Sequence, residues 1–525
     1  MASPNEDGVS PPPLSSSDTL AVEETEEEKI QRLGRERPPC FKSAWSEVVF
    51  VATVAMSQIL TEFFVSGFNI LLPTVTNELH IPTSSSVWPA TAFSLSIAST
   101  LLIFGRLGDQ YGAYIVYTSG LAWLLLWSLV AGFSQNALML IFCRALQGLG
   151  PAAFLPTGVQ LIGSSYRPGP RKNIVFSIYG SAAVGGFFLG IFCAGMIAQF
   201  TQFGWYFWVG AILTALTLAL AIFAVPNDRE KAKEYHNEMD WVGAGLILSG
   251  VVLLVFSLTD SAHRGWQTPH IPTLFSVSVV LLLIAFYYEG WVAKSPLLPS
   301  DIFTVPPATP LYLSIFVLYG TVGMYLLYGT QYFEAVMGAS PLQIVAWYSP
   351  MAIGGFVLAL GEGLLLHFVP GRILLIISGC GAVGAQLLLA LVPVGGSYWA
   401  YIFPSMVLGT IGIDLSITLV MVFVTTQLPL ARQGLAGGFV NSVLQLGMAF
   451  QIGLADIIRA KTEPYAGTVQ SYKNVFYFGV AAGALSLVIL AWKGKVAAAS
   501  ADLTADEKAQ LQRAATRESQ KVDGH

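Results

Sequence analysis

Charge is what this chain has least of. Only 11% of its 525 residues are Asp, Glu, Lys or Arg, against about 25% in soluble domains, which excludes an ordinary water-soluble fold. Basic clusters are missing as well. The 26 Lys and Arg are outnumbered by 31 Asp and Glu, and the acidic excess gathers in tail segments such as AVEETEEEK and ADLTADEK, so no surface is offered to nucleic-acid phosphates. The four cysteines, Cys40, Cys143, Cys193 and Cys380, are scattered, three of them in apolar runs, which sets aside a disulfide framework and a metal site. No G-x-x-x-x-G-K-[ST] phosphate loop, zinc helix or hydrolase elbow occurs, so no cofactor is expected and neither an enzyme nor an ATP-driven machine is indicated. The start, MASPNEDGVSPPPLSSSD, lacks the basic and apolar regions of a cleaved signal.

What the chain has in abundance is apolar sequence, with 54% hydrophobic residues. A helix needs about 20 apolar residues to cross a bilayer core. Fourteen runs meet that length, so an all-α polytopic membrane protein is expected. Six runs fall within 47–225 and six within 311–492; the segment 226–240 reads as a cytosolic loop, and 241–310 holds two extra spans, Trp241 to Thr259 and Ile271 to Val292. The tails 1–46 and 493–525 read as cytosolic, the first mostly disordered because its Pro, Ser and Glu content cannot build a core. Arg106, Arg167, Arg171, Lys172, Arg229, Lys231 and Lys233 would share one face, which the excess of positive charge marks as cytosolic; an even number of spans then places both termini there. Gly148, Arg171, Gly186 and Ile191 recur in register as Gly409, Arg432, Gly447 and Ile452. The two blocks of six therefore read as pseudo-repeated bundles with the extra pair between them.

Two stretches in the first block stand out. GRLGDQYG places Gly105, Arg106, Gly108, Asp109 and Gly112 between two apolar runs, where a tight turn at the membrane surface is expected. Further on, Arg144 lies inside an apolar helix in RALQGLG, at a cost of about 2.5 to 3.5 kcal/mol on insertion scales. With Gln147, Gly148 and Gly150 it forms R-x-x-Q-G-x-G. Together these stretches resemble the major facilitator superfamily, and most closely its fungal fourteen-span drug:proton antiporter group. Three departures are visible. Ala113 and Tyr114 follow the loop where the family has basic residues, Phe64 stands at the family's acidic position in the first span, and Gly190 is followed by Ile191 instead of proline.

The resemblance implies a secondary transporter working by alternating access, with proton-coupled export of a drug, toxin or secondary metabolite across the plasma membrane, or the vacuolar membrane as the alternative. Its partners would be a small-molecule substrate, protons and the lipid bilayer, and a monomer is expected. The competing functions are proton-coupled uptake of a nutrient, ammonium-like cation or siderophore, and a non-transporting receptor. Midplane carboxylates favour transport, since a receptor has no need of them.

Glu62 lies near the middle of the first span and Asp414 midway along the twelfth, where each must hold a proton, pair with a cation or face cavity water; both are candidates for proton coupling. Arg144 would either be structural, as a static ion pair with Glu62 or a hydrogen-bonded strut, or serve a substrate or proton site. Gln147, Asn69, Tyr325, Tyr328 and Gln331 are candidate substrate contacts, with tyrosines that suit either a cavity wall or plain packing. Gly148, Gly150, Gly186 and Gly190 permit close helix contact. The resemblance implies a gating role for Asp109 in the loop, against the alternative of a helix cap. Glu334, Asp260, Glu289, Glu362 and Asp456 lie nearer to span ends, where snorkelling explains them.

Overall fold

The computed structural model describes residues 35–82, 85–167, 170–228, 239–298, 301–304, 308–427 and 430–493. The expected disorder of 1–34, the tail beyond 493 and most of the loop after Asp228 lie outside the described residues. Residues 35–46 were expected to belong to the disordered tail; most of them are exposed, but Pro38 and Phe41 are buried and the first helix begins at Ala44. Ser43 caps the first helix, its hydroxyl accepting from Ser46 N at 3.1 Å while Ser46 Oγ accepts from Ser43 N at 3.2 Å, and Phe41 is buried against Phe50 and Tyr166.

Every described element is helical. The first bundle comprises α1 (Ala44–Glu78), α2 (Trp88–Tyr111), α3 (Ala113–Ala131), α4 (Ala137–Ser165), α5 (Pro170–Phe200) and α6 (Gly204–Ala224). The extra pair is α7 (Trp241–Arg264) and α8 (His270–Val292). There follow α9 (Ala308–Ala335), α10 (Pro341–Phe368), α11 (Gly371–Leu391) and α12 (Phe403–Gln427). The last stretch, Leu430–Lys493, is broken at Gly467, whose φ of 78° and ψ of 166° leave the helix. It therefore counts as two helices, α13 (430–466) and α14 (468–493). The apolar part, Gly437–Trp492, has 56 residues; at 1.5 Å per residue that is about 84 Å, far more than one crossing of a core about 30 Å thick. Among the described residues, thirteen apolar stretches long enough to span a bilayer, the last of them double, give fourteen crossings.

The helices pack mainly within two groups, α1–α6 and α9–α14, which meet along two seams. At one, α5 lies against α10; at the other, α13 lies against α2 and α4. Small residues permit the second approach: a Cβ added to Gly438 would stand 3.5 Å from Leu101 Cδ2 and 3.7 Å from Pro156 Cβ. The extra helix α7 covers this seam, with Val251 and Val255 packed among Leu95 of α2 and Ala449 of α13. Outward faces are apolar, as Ile212, Leu216 and Phe223 on α6 and Val280, Leu283 and Phe286 on α8 are exposed. Such a surface is stable only against lipid.

Candidate functional site

The middle of α1 departs from the α-helix. Phe63–Gly67 form a π-turn, which holds one residue more than an α-turn and is often found where helices do work. Two of its carbonyl oxygens are taken by donors on neighbouring helices. Arg144 Nη2 of α4 donates to Phe64 O at 3.0 Å, and the Tyr206 hydroxyl of α6 donates to Phe63 O. Ser66 Oγ bridges Glu62 O at 2.7 Å and Phe187 O of α5 at 3.0 Å. Glycines of α5 make the approach possible. A Cβ on Gly190 would stand 2.7 Å from both Phe63 O and Ser66 Oγ, and one on Gly186 would stand 2.5 Å from Ile59 O and 3.0 Å from Glu62 Cβ.

Arg144 is 1% exposed and uses its planar fork in three directions. Besides Phe64 O, Nε donates to Pro89 O of α2 at 3.0 Å and Nη1 donates to Gln147 Oε1 at 2.9 Å. Gln147 Nε2 in turn donates to Ser128 Oγ of α3 at 2.7 Å, so one buried network ties four helices. The rings of Phe68 and Phe93 each lie 4.2 Å from the guanidinium carbon. Of the alternatives for Arg144, the hydrogen-bonded strut is the arrangement present, and the pairing with Glu62 is not. Among the described residues no carboxylate lies within ion-pair distance of Arg144, and its charge is met by carbonyl dipoles and ring faces. The reason is geometric: Glu62 precedes the π-turn and lies on the side of Gly186, whereas Arg144 reaches the turn itself. Phe64, at the family's acidic position, is fully buried with its ring near Phe93 and Tyr206.

Glu62 lies against Gly186 of α5, within electrostatic reach of the second half. Its charge is within reach of Asp414 on α12, and Tyr319 of α9 is within reach of both carboxylates. Tyr179 of α5 stands near Glu62 as well. Asp414 lies where α10 crosses α5, since a Cβ on Gly355 would be 3.1 Å from Asp414 Oδ2 and 2.7 Å from Val184 Cγ1. Both carboxylates are half-buried, and among the described residues neither has an ion-pair partner. Two carboxylates within electrostatic reach of one another, one from each half, favour taking up one cation, whether a proton or a basic solute.

GRLGDQYG does not form the expected turn. Gly105, Arg106, Gly108 and Asp109 occupy the last turns of α2, and only Gly112, at φ 98°, breaks the chain. Gly108 is needed for packing, because a Cβ there would stand 2.6 Å from Thr157 Cγ2 of α4. After the break, Ala113 N and Tyr114 N donate to Asp228 Oδ2 and Oδ1 at 2.9 and 3.1 Å. These two residues, where the family has basic side chains, thus tether α3 to the end of α6 through backbone amides. Arg106 lies within electrostatic reach of Asp109, three residues on, and of Glu289 on α8. Nearby, Glu47 accepts both arms of Arg171, at 2.7 and 2.5 Å, and the Tyr166 hydroxyl at 3.1 Å; these bonds hold the Arg171 guanidinium above its usual range.

The remaining candidates are distributed through the second half. Tyr325 is buried with its hydroxyl on Ser405 of α12 at 2.9 Å, and the Tyr328 hydroxyl reaches Asp456 of α13 at 3.4 Å. Gln331 accepts from Tyr472 of α14 at 3.5 Å. These three face partners inside the second bundle, apart from Glu62. Asn69 is buried on the C-terminal limb of α1, beyond the π-turn. Gly148 and Gly150 lie at crossings with α2 and α3, where a Cβ would stand 2.5 Å from Phe93 O and 2.7 Å from Leu124 Cβ, respectively. Snorkelling does not describe three of the acids near span ends: Asp456, Glu289 and Asp260 are 0%, 8% and 9% exposed. Asp260 is met by Arg264 and His270, both at 3.2 Å, and Glu289 accepts from Leu298 N at 3.2 Å. The side chain of Glu362 lies outside the described residues. Tyr206, Glu47 and Asp228 had no place among the expected site residues. Tyr206 lies in the aromatic run GWYFW and gives no polar signal; Glu47 could have been paired with Arg171 from their common place at the starts of two runs that share one face.

The comparisons with known proteins agree with this architecture. The family model of the Major Facilitator Superfamily matches residues 54–451. The low affinity ammonium transporter of Saccharomyces cerevisiae is 31% identical over 87% of this chain and 89% of its own, and the efflux pump terJ of Aspergillus terreus is 31% identical over 85% and 88%. A crystal structure of the human organic anion transporter MFSD10 (TETRAN) superposes with a TM-score of 0.58 over 85% of this chain and 99% of that one at 15% identity, a likeness of fold. The chain belongs to the Major Facilitator Superfamily and is a multi-pass membrane transporter, not an enzyme.

Proposed function

We propose that the protein is a proton-coupled exporter of small organic molecules, working by alternating access in the plasma membrane with both termini in the cytosol. The observation that carries this reading is the Glu62 and Asp414 pair, one carboxylate from each half, half-buried and without a counter-ion among the described residues. Rocking of the two halves opens such a pair to one side and then the other. A proton taken from the outer, acidic side and a substrate taken from the cytosol would alternate on it, because two bare like charges within electrostatic reach of one another are unfavourable. Relatives that include an efflux pump and an aminotriazole resistance protein support the direction. The same pair supports a second reading, uptake of a small ammonium-like cation, which the yeast relative's name also favours.

The test uses purified protein in proteoliposomes with a pH difference as the only energy source. A fluorescent organic cation and methylammonium serve as probes. Wild type should accumulate the dye toward the acidic side. Glu62→Gln should lose accumulation while still exchanging dye at equal pH, and Asp414→Asn compares the rival carrier. Accumulation by the Glu62→Gln, Asp414→Asn double variant at the wild-type level would overturn proton coupling at this pair. Methylammonium accumulation without dye movement would select uptake.

A further inference from the structure

The clamped π-turn bears on how proton occupancy is passed through the protein, an inference that rests on reading Glu62 as the proton carrier. We propose that Tyr206 and Arg144 are positioning residues: by holding two carbonyls of the π-turn, Phe63 O and Phe64 O, they set the rotation at which α1 presents Glu62.

The geometry argues for this in three steps. First, the turn lies between Glu62 and Asn69, so it sets the rotation of the N-terminal limb of α1 against the C-terminal limb. A π-turn contains one residue more than an α-turn; closing it to α geometry rotates one limb by about 100° relative to the other. That is enough to turn Glu62 toward or away from the second half. Second, the wide form is held from outside α1. Tyr206 is fully buried, its hydroxyl sits on Phe63 O, and its ring stacks on the Phe63 ring with centroids 4.7 Å apart and planes 7° from parallel. Arg144 holds the next carbonyl along, Phe64 O, at 3.0 Å. Third, the surfaces around the turn are small. Gly67 leaves room for Tyr206, whose hydroxyl would stand 2.6 Å from a Cβ there; Gly210 leaves room for the Phe64 ring, with Cε1 2.7 Å from a Cβ there. On the α5 side Gly186 and Gly190 present no side chains to rotation of the N-terminal limb. A helix segment with a wide turn, two external clamps and glycine at its contacts is built to hold one rotation and to change it when the clamps let go.

The variant that tests this is Tyr206→Phe, which removes one hydroxyl and keeps the ring stack. Hydrogen–deuterium exchange of the full-length protein in nanodiscs should show the amides of 63–67 exchanging about threefold to tenfold faster, the effect of one hydrogen bond lost. In proteoliposomes, dye accumulation driven by a pH difference should fall while exchange at equal pH stays at the wild-type rate, and the pH midpoint of transport should move. On a Glu62→Gln background, Tyr206→Phe should add nothing, because the two act through one group. Unchanged exchange at 63–67, wild-type gradient-driven accumulation in Tyr206→Phe, or a loss of equal-pH dye exchange when Tyr206→Phe is added to Glu62→Gln, overturns the positioning role. If Glu62→Gln alone still accumulates dye, the proton-carrier reading falls, and the deuterium result still decides whether Tyr206 clamps the turn.

Discussion

Replacing Arg144 with lysine separates a brace from a substrate ligand. The guanidinium donates from three nitrogens to Pro89 O, Gln147 Oε1 and Phe64 O, at 3.0, 2.9 and 3.0 Å, on three sides of a plane. An ammonium is a single point and cannot reach acceptors on α1 and α2 together. At least one of these carbonyls, and on most rotamers two, would be left bare in a site that is 1% exposed. Each bare buried group costs about 1–3 kcal/mol, so Arg144→Lys, leaving one or two bare, should lose about 1–6 kcal/mol of stability. The assay is thermal unfolding of purified protein followed with a thiol-reactive dye, read beside transport in proteoliposomes. Cys143, the neighbouring residue, is 3% exposed and reports opening of this region directly. The expected result is a melting midpoint several degrees lower together with loss of gradient-driven accumulation. Wild-type melting with lost transport would refute the brace and make the guanidinium a direct ligand. Wild-type melting with wild-type transport would refute any need for the fork.

Three more outcomes follow from the packing and topology. Gly190→Val should destabilise by about 1–3 kcal/mol, since its Cβ meets Phe63 O and Ser66 Oγ at 2.7 Å and overpacking of this kind forces the backbone to move; Gly180→Ala, with nothing within 4 Å, should melt as wild type does, and equal melting of both variants would discredit the α1–α5 contact. Asp456→Asn should lower the melting midpoint by about 1–3 kcal/mol of stability while leaving accumulation in place, because the carboxylate serves Tyr328 inside the second half; a stable variant without accumulation would put Asp456 on the proton path. A cysteine placed at Asn227 in a chain whose four native cysteines are replaced should escape an impermeant maleimide applied to intact cells, and labelling from outside would reverse the proposed orientation.

What was legible in the sequence was what one dimension carries. Bilayer thickness imposes a length on every apolar run, so the fourteen crossings could be counted before any packing was known. Ends were harder. GRLGDQYG looked like a turn because glycine has two common uses, and sequence does not say which applies. Gly105 and Gly108 are there to bring α2 onto α4, where their added Cβ atoms would stand 3.4 Å from Pro156 Cβ and 2.6 Å from Thr157 Cγ2, and only Gly112 takes the positive φ that ends the helix. The tyrosines of α9 carried the same ambiguity. Tyr319 lies within reach of Glu62 and Asp414, while Tyr325 and Tyr328 turn their hydroxyls to Ser405 and Asp456.

Arg144 shows where such reading stops. Its cost in an apolar helix was plain from composition, and a carboxylate was the natural partner to seek, because side chains are what a sequence spells out. The partners found are two backbone oxygens and the side-chain oxygen of Gln147, and one of the two, Phe64 O, belongs to a π-turn within the apolar segment FFVSG. Nothing in those five letters distinguishes a π-turn from an α-turn. Glu62 is consequently free of Arg144 and left to Asp414, a residue more than three hundred positions away that only the meeting of the two halves brings near. The donor could be read from the sequence, but the backbone geometry it serves comes only from how α1 packs against α4, α5 and α6.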